Sequence, residues 1–176
     1  MAVKIPDWLD VALKVTATLI AIFGVWSFFA QRAEAVRVAR EERALAYIAR
    51  FGGTDIVVAR TALLDFWRRY PTFTAEARTR ALSSREYEGF VAAAYPNDAA
   101  RGEVDAALIR LLVFYDEVAF CHRAGTCDRS ILFGYFCPHV TQHARVYRPF
   151  HALLGAAVGT DGLDRHLDEL ARSCLS

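Results

Sequence analysis

The sequence predicts an all-α protein: one N-terminal transmembrane helix that continues into a small bundle of about five or six helices. Three observations predict it. The run from Val11 to Ala30 is apolar, with Lys14 as its one charge. Beyond that run, apolar residues recur at spacings of three and four. No alternating period of two, hairpin signal or internal repeat breaks this rhythm. The chain therefore divides into an N-terminal segment with its transmembrane helix, 1–30, and a helical bundle, 31–176.

About 20 helical residues at ~1.5 Å each reach across the ~30 Å core of a bilayer. Asp7 and Asp10 stand before the run, and Gln31 and Arg32 after it. Trp8, Trp26, Phe28 and Phe29 fall near its ends, where interfacial aromatics belong. Lys14 is one turn inside, close enough for its stem to return the ammonium to the headgroups. A signal peptide has a shorter apolar core, about 7–15 residues, and a small-x-small cleavage site. Ser27-Phe28-Phe29-Ala30 puts Phe28 where a small residue is needed, so a retained helix is expected. Arg32, Arg37, Arg40, Arg43 and Arg50 follow the run, against Lys4 before it. Positive charge gathers on the cytoplasmic side. This predicts a single-pass protein of a bacterial inner membrane with its N-terminus outside and its domain in the cytoplasm; a periplasmic domain is the alternative.

The remaining chain, about 145 residues, is long enough for one domain with a real core. Its 21 basic and 20 acidic side chains leave a net charge of +1, so no global field calls for nucleic acid. Arg and Glu are scattered and Gly and Pro are few, which argues against disorder.

After the span no breaker intervenes. AQRAEAVRVAREERALAYIARF is rich in strong helix formers, so one helix should run from the membrane to Gly52-Gly53. Thr54 or Asp55 should cap a second helix carrying a stripe of Val57, Val58, Thr61, Leu63, Leu64 and Trp67 up to Tyr70-Pro71. Thr72–Ser84 reads as one or two turns. Ser83 and Glu86 form a capping box for a helix to Tyr95. Gly102–Ala124 is the clearest amphipathic helix, with Val104, Leu108, Leu111, Leu112, Tyr115, Val118, Ala119 and His122 on one face. Gly125 ends it, Thr126 or Asp128 caps the next helix, and Pro138 should kink or restart that helix on its way to Gly155. The last helix should start near Asp161 with Leu163, Leu167, Leu170 and Cys174 inward.

Leu111-Leu112-Val113-Phe114-Tyr115-Asp116-Glu117-Val118-Ala119, Gly125, Asp128, Gly134-Tyr135-Phe136 and Tyr147-Arg148-Pro149-Phe150 are packing motifs. In these the chain, from about Ala30 to Leu154, resembles an uncharacterised bacterial family of small membrane-anchored helical proteins of unknown function. The resemblance implies a membrane helix with a small helical domain and no reaction. Cys121, Cys127 and Cys137 depart from the family pattern, which has no cysteine cluster.

The densest chemistry is CHRAGTC followed by FCPHVTQH, holding Cys121, His122, Cys127, Cys137, His139 and His143. Cys137, His139 and His143 are candidate metal ligands, since thiolate and imidazole suit zinc. The spacing departs from C-x2-C, and Val140 stands where H-E-x-x-H needs Glu. Disulfides are the second reading: Cys121 with Cys127 across a tight turn, and Cys137 with Cys174. The third is four free thiols, with Cys buried as small hydrophobes and His122 a hydrogen-bonded core residue. The cytoplasmic topology favours free thiols, because disulfides persist only in oxidising compartments.

Asp116 and Glu117 diverge on their helix and cannot converge as an acid/base pair; helix pairing with Arg is their expected role. Ser130, Thr141 and Ser173 show no triad partners, and the glycines from Gly155 to Gly162 read as a helix break. In the anchor, Ala17, Ala21 and Gly24 share a side and would let another helix approach closely. The expected function is binding rather than catalysis, as an accessory or scaffold subunit of a membrane complex or as a homo-oligomer, without cofactor. The partners are the membrane and another membrane protein or a second copy. One alternative is a metal- or thiol-dependent sensor or enzyme built on the Cys/His cluster. The other is a lipid- or small-molecule-binding bundle, suggested by Phe114, Tyr115, Phe120, Phe133, Tyr135 and Phe136.

Overall fold

A computed structural model describes residues 7–160 and 162–175. Among them are seven α-helices and no strand: α1 (Asp7–Phe51), α2 (Thr54–Arg69), α3 (Pro71–Thr79), α4 (Ser84–Ala94), α5 (Arg101–Arg123), α6 (Arg129–Val158) and α7 (Arg165–Ser173). The all-α expectation therefore holds. The chain forms two compact units, 1–40 and 41–176.

The first unit is helical from Asp7 onward, and its apolar stretch is long enough to cross a membrane, with none of it buried in the protein. Trp8, Leu19, Phe23, Trp26 and Phe29 are all more than 60% exposed, as side chains facing lipid would be. Its hydroxyls satisfy themselves: Thr16 donates to the Ala12 carbonyl and Thr18 to the Lys14 carbonyl, both at 2.8 Å. Back-bonding of this kind leaves no free polar hydrogen in an apolar medium. Most of the Met1–Asp10 segment lies outside the described residues.

In the second unit α5 is central, packed against α2, α6 and α7, while α4 lies on α6. Phe51 closes the end of α1 in the core. Its ring lies 5.6 Å from Phe114, 5.5 Å from Phe136 and 5.0 Å from His139. Burying one such ring contributes about 2–3 kcal/mol. A second aromatic cluster joins α2 to α3, α4 and α6. Phe66 and Trp67 meet Phe150, and Phe73 stacks on Phe90 at 3.6 Å.

The helix ends follow their sequence signals, with two corrections. Ser83 and Glu86 form the expected capping box, and the Asp128 side chain caps α6 by accepting from the Ile131 amide. The N-cap of α2 is Gly53 with no side-chain cap, rather than Thr54 or Asp55. The Gly53 amide instead bonds the Arg50 carbonyl, so the turn out of α1 fixes the start of α2. The expected stripe on α2 is also shifted: Ile56, Ala59, Leu63 and Phe66 are buried, while Val57, Val58 and Leu64 are exposed. Both sets have helical spacing, and only the position of α5 selects between them. Helix α6 runs unbroken through Pro138 and Pro149 and ends at Gly159 in the left-handed conformation. Gly155 is required there, because a Cβ would meet the Thr160 carbonyl oxygen at 2.7 Å. Asp161 lies outside the described residues; α7 starts at Arg165, later than expected, and turns Leu167 and Leu170 into the core, with Leu163 and Cys174 half-buried on either side of it.

Candidate functional site

The four cysteines are paired, so the expectation of free thiols is corrected. Cys121 is bonded to Cys127 and Cys137 to Cys174, with Cα atoms 5.5 and 5.4 Å apart. Local geometry explains the first bridge. Gly125 is left-handed, its amide bonds the His122 carbonyl, and the Thr126 amide bonds the Cys121 carbonyl. This glycine-ended helix stop folds the chain back over the last turn of α5. It brings position 127 beside position 121. The second bridge closes a longer loop and ties α6 to the end of α7.

Cys137 is thus no thiolate ligand for a metal, and no group of three or more His, Cys, Asp or Glu converges among the described residues. His122 is not the hydrogen-bonded core residue expected. It is half-buried with its ring 4.6 Å from Phe133, and burial together with Arg129 and Arg123 lowers its pKa. Ser130 bonds the Asp128 carboxylate, Thr141 the Cys137 carbonyl and Ser173 the Glu169 carbonyl. Glu117 pairs with Arg50 across two helices, as expected of it, and Asp116 lies 3.5 Å from His166.

The site with the most unspent chemistry is the inner face of α6. Tyr135, His139, His143, Tyr147 and His151 recur every four residues and so form a ladder along one side. The rings of His143 and Tyr147 are 4.7 Å apart, and those of His143 and His151 5.4 Å. His143 and His151 are buried, and His143 Nε2 and both nitrogens of His151 have no hydrogen-bond partner. His151 Nδ1 comes within only 3.9 Å of Asp164. Burial, with the neighbouring His151, pushes the pKa of His143 down to about 3. Burial also lowers His151 to about 4, against the opposing pull of Asp164 and Asp168. Both imidazoles are neutral at pH 7.

Beside this ladder α2, α5, α6 and Phe51 line a partly open cavity of about 260 Å³. Arg60, Trp67, Tyr115, His139, His143 and Tyr147 stand in its wall. The Trp67 indole N–H donates to the Tyr147 hydroxyl at 3.2 Å. Burial raises the pKa of both Tyr115 and Tyr147, which stay as phenols. Sequence reading found His139 and His143 on one face but missed His151, Tyr147 and Arg60. The four-residue interval from Tyr135 to His151 was the available signal; Arg60 had none, because it reaches the site from another helix.

A second feature lies on the outside of α5. Ile109, Val113 and Phe120 are 44%, 50% and 65% exposed on one side of a helix whose other side fills the core. In α1, Ala17, Ala21 and Gly24 are exposed, and a Cβ on Gly24 would meet nothing within 4 Å.

The chain matches no family model, no curated protein and no solved structure.

Proposed function

We propose that this chain is a single-pass membrane protein of a bacterial inner membrane whose helical domain acts by binding, as an accessory or scaffold subunit of a membrane complex or as a homo-oligomer. The observation that carries this reading is the outer side of α5, where Ile109, Val113 and Phe120 stay exposed although the domain has a well-filled core of its own. An apolar stripe of this kind on a domain tethered to a membrane suits a partner held in the same membrane. The small residues Ala17, Ala21 and Gly24 offer a matching close-packing side within the anchor.

The domain belongs on the oxidising, periplasmic side in this reading. The two bridges, each anchored at one end in a helix, favour it, because a reducing cytoplasm keeps such thiols open. The arginines from Arg32 to Arg50 pull toward the cytoplasm. They are interleaved with acids, and Arg37 bonds Glu34 at 2.5 Å, but the orientation rule counts the bases regardless. The cysteine chemistry weighs more because both pairings depend on it together.

Co-purification from native membranes in mild detergent tests the binding role. The wild-type chain should bring down a defined membrane protein or a second copy, and Phe120→Glu should lose it. A wild-type chain that elutes alone and as a monomer overturns the proposal.

A further inference from the structure

The cavity beside the histidine ladder carries chemistry that protein–protein binding does not use. Its wall holds five aromatic or imidazole rings from α2, α5 and α6: Trp67, Tyr115, His139, His143 and Tyr147. Phe51 also lines it, with its ring 5.0 Å from His139. No aspartate or glutamate lines it. Among the described residues Arg60 is the one permanent charge in the lining, and no described carboxylate pairs with it. Its guanidinium lies 4.7 Å from the centre of the Phe51 ring, a cation–π contact that holds it at the cavity.

Hydrogen-bonding capacity is also left over. The Tyr147 oxygen already accepts from Trp67, so its own proton is free to be donated. The Tyr115 hydroxyl makes no hydrogen bond among the described residues. His143 Nε2 is buried and unpartnered, a costly condition that a guest could relieve. The lining therefore offers tilted aromatic faces, a cation held over the Phe51 ring and several donors, with no carboxylate. At about 260 Å³ the space is below the usual ~300–1,000 Å³ of drug-sized sites, and one ring with a short polar head suits it.

We propose that this cavity binds a small aromatic monocarboxylate, with the carboxylate on Arg60 and the Tyr147 hydroxyl, and the ring among Phe51, Trp67, Tyr115 and His143. A planar acid suits Arg because the guanidinium can meet both oxygens at once. The domain then senses or carries such an acid, a role separate from the stripe on α5.

The test is isothermal titration of the full-length chain in mild detergent with benzoate and phenylacetate, corrected against detergent alone. Phenylacetamide and acetate are the comparators that lack the charge and the ring. Saturable binding of at least one aromatic acid is expected, with neither comparator bound. Arg60→Ala should weaken binding at least about tenfold, the loss expected for a charge-assisted bond, and Arg60 is exposed enough for the variant to fold. Tyr147→Phe, which keeps the ring and removes only the hydroxyl, should weaken it several-fold. No saturable binding of either acid at millimolar concentration overturns the proposal. Equal binding of phenylacetamide, or affinity unchanged in Arg60→Ala, overturns it as well. The readout is independent of co-purification, so either proposal can fail without the other.

Discussion

Arg69 at the end of α2 grips Asp98, just before α5, through two hydrogen bonds, Nε to Oδ2 at 3.0 Å and Nη2 to Oδ1 at 2.7 Å. The Tyr70 hydroxyl and the Ala100 amide donate to the same carboxylate, whose side chain is 1% exposed. Burial by itself would raise the Asp98 pKa, and these donors together bring it below the ordinary value. Removing the cation leaves a buried charge short of partners, so Arg69→Met should destabilise the domain by about 3 kcal/mol or more. Asp98→Asn should cost less, about 1–3 kcal/mol, because it removes the charge with the bonds. Urea unfolding of both variants checks the order, and equal losses would show that the ion pair is not the cause. With its pKa depressed in the folded state, Asp98 stabilises above the carboxylate range and loses that contribution as pH falls through its folded value.

Leu111 and Leu112 are 1% and 3% exposed in the helix on which the domain is built. Either one replaced by Ala should cost about 2–5 kcal/mol, the range for a buried leucine whose site cannot collapse. Val113→Ala, on the exposed side of the same helix, should stay within about 0.5 kcal/mol. Thermal melts of the three variants would reveal a misplaced face if Val113 proved the most sensitive.

The two bridges predict unequal effects. The Cys137–Cys174 link spans 37 positions and the Cys121–Cys127 link 6. Loop-closure entropy assigns about 4 kcal/mol to the first and about 2 kcal/mol to the second. Cys137→Ala with Cys174→Ala should therefore lower the melting temperature more than the paired Cys121→Ala and Cys127→Ala change. In intact cells an impermeant thiol reagent should label none of the four until reductant is added. After mild reduction Cys174, half-exposed, should react before the buried Cys121. Labelling without reductant would rule out the bridges, and no labelling even after an impermeant reductant would rule out the periplasmic placement.

His143 and His151 make stability fall in mild acid. Their folded pKa values, about 3 and about 4, lie below the ordinary histidine value of 6.5. Between those limits the unfolded chain binds more protons than the folded one, so stability is full above pH 6.5 and declines as pH drops. At pH 5 the loss is about 2 kcal/mol for each imidazole. The groups facing them are Tyr115 and Tyr147 on the His143 side and Asp164 and Asp168 on the His151 side, of which only the two carboxylates resist the loss. Melting curves from pH 7.5 to 5 should show this decline, and His143→Phe should flatten it. An unchanged slope in that variant would mean that other groups set the acid limit.

The anchor should stay with membranes after carbonate washing, and the mature chain should keep Val11–Ala30. A mature N-terminus near Ala30 would show the segment to be a cleaved leader instead.

Sequence alone determined the elements of this protein. Helix formers without a breaker carried α1 to Gly52-Gly53, the Ser83/Glu86 pair placed the start of α4, Gly125 placed the end of α5, and the apolar stripe of α5 named its buried face. These are local signals, set by hydrogen bonds and side-chain spacing within one or two turns, and such signals are written in order along the chain. What only the tertiary structure decided depends on which helix meets which. The buried side of α2 passed from Val57 and Leu64 to Ile56 and Phe66 because α5 covers that side. Cys137 became a bridge partner because α7 returns along α6, and Arg60 joined a cavity beside the Tyr115, His143 and Tyr147 rings because α2, α5 and α6 converge there. Residues far apart in sequence acquire a shared chemistry only when packing brings them together, and spacing within a single helix carries no record of it.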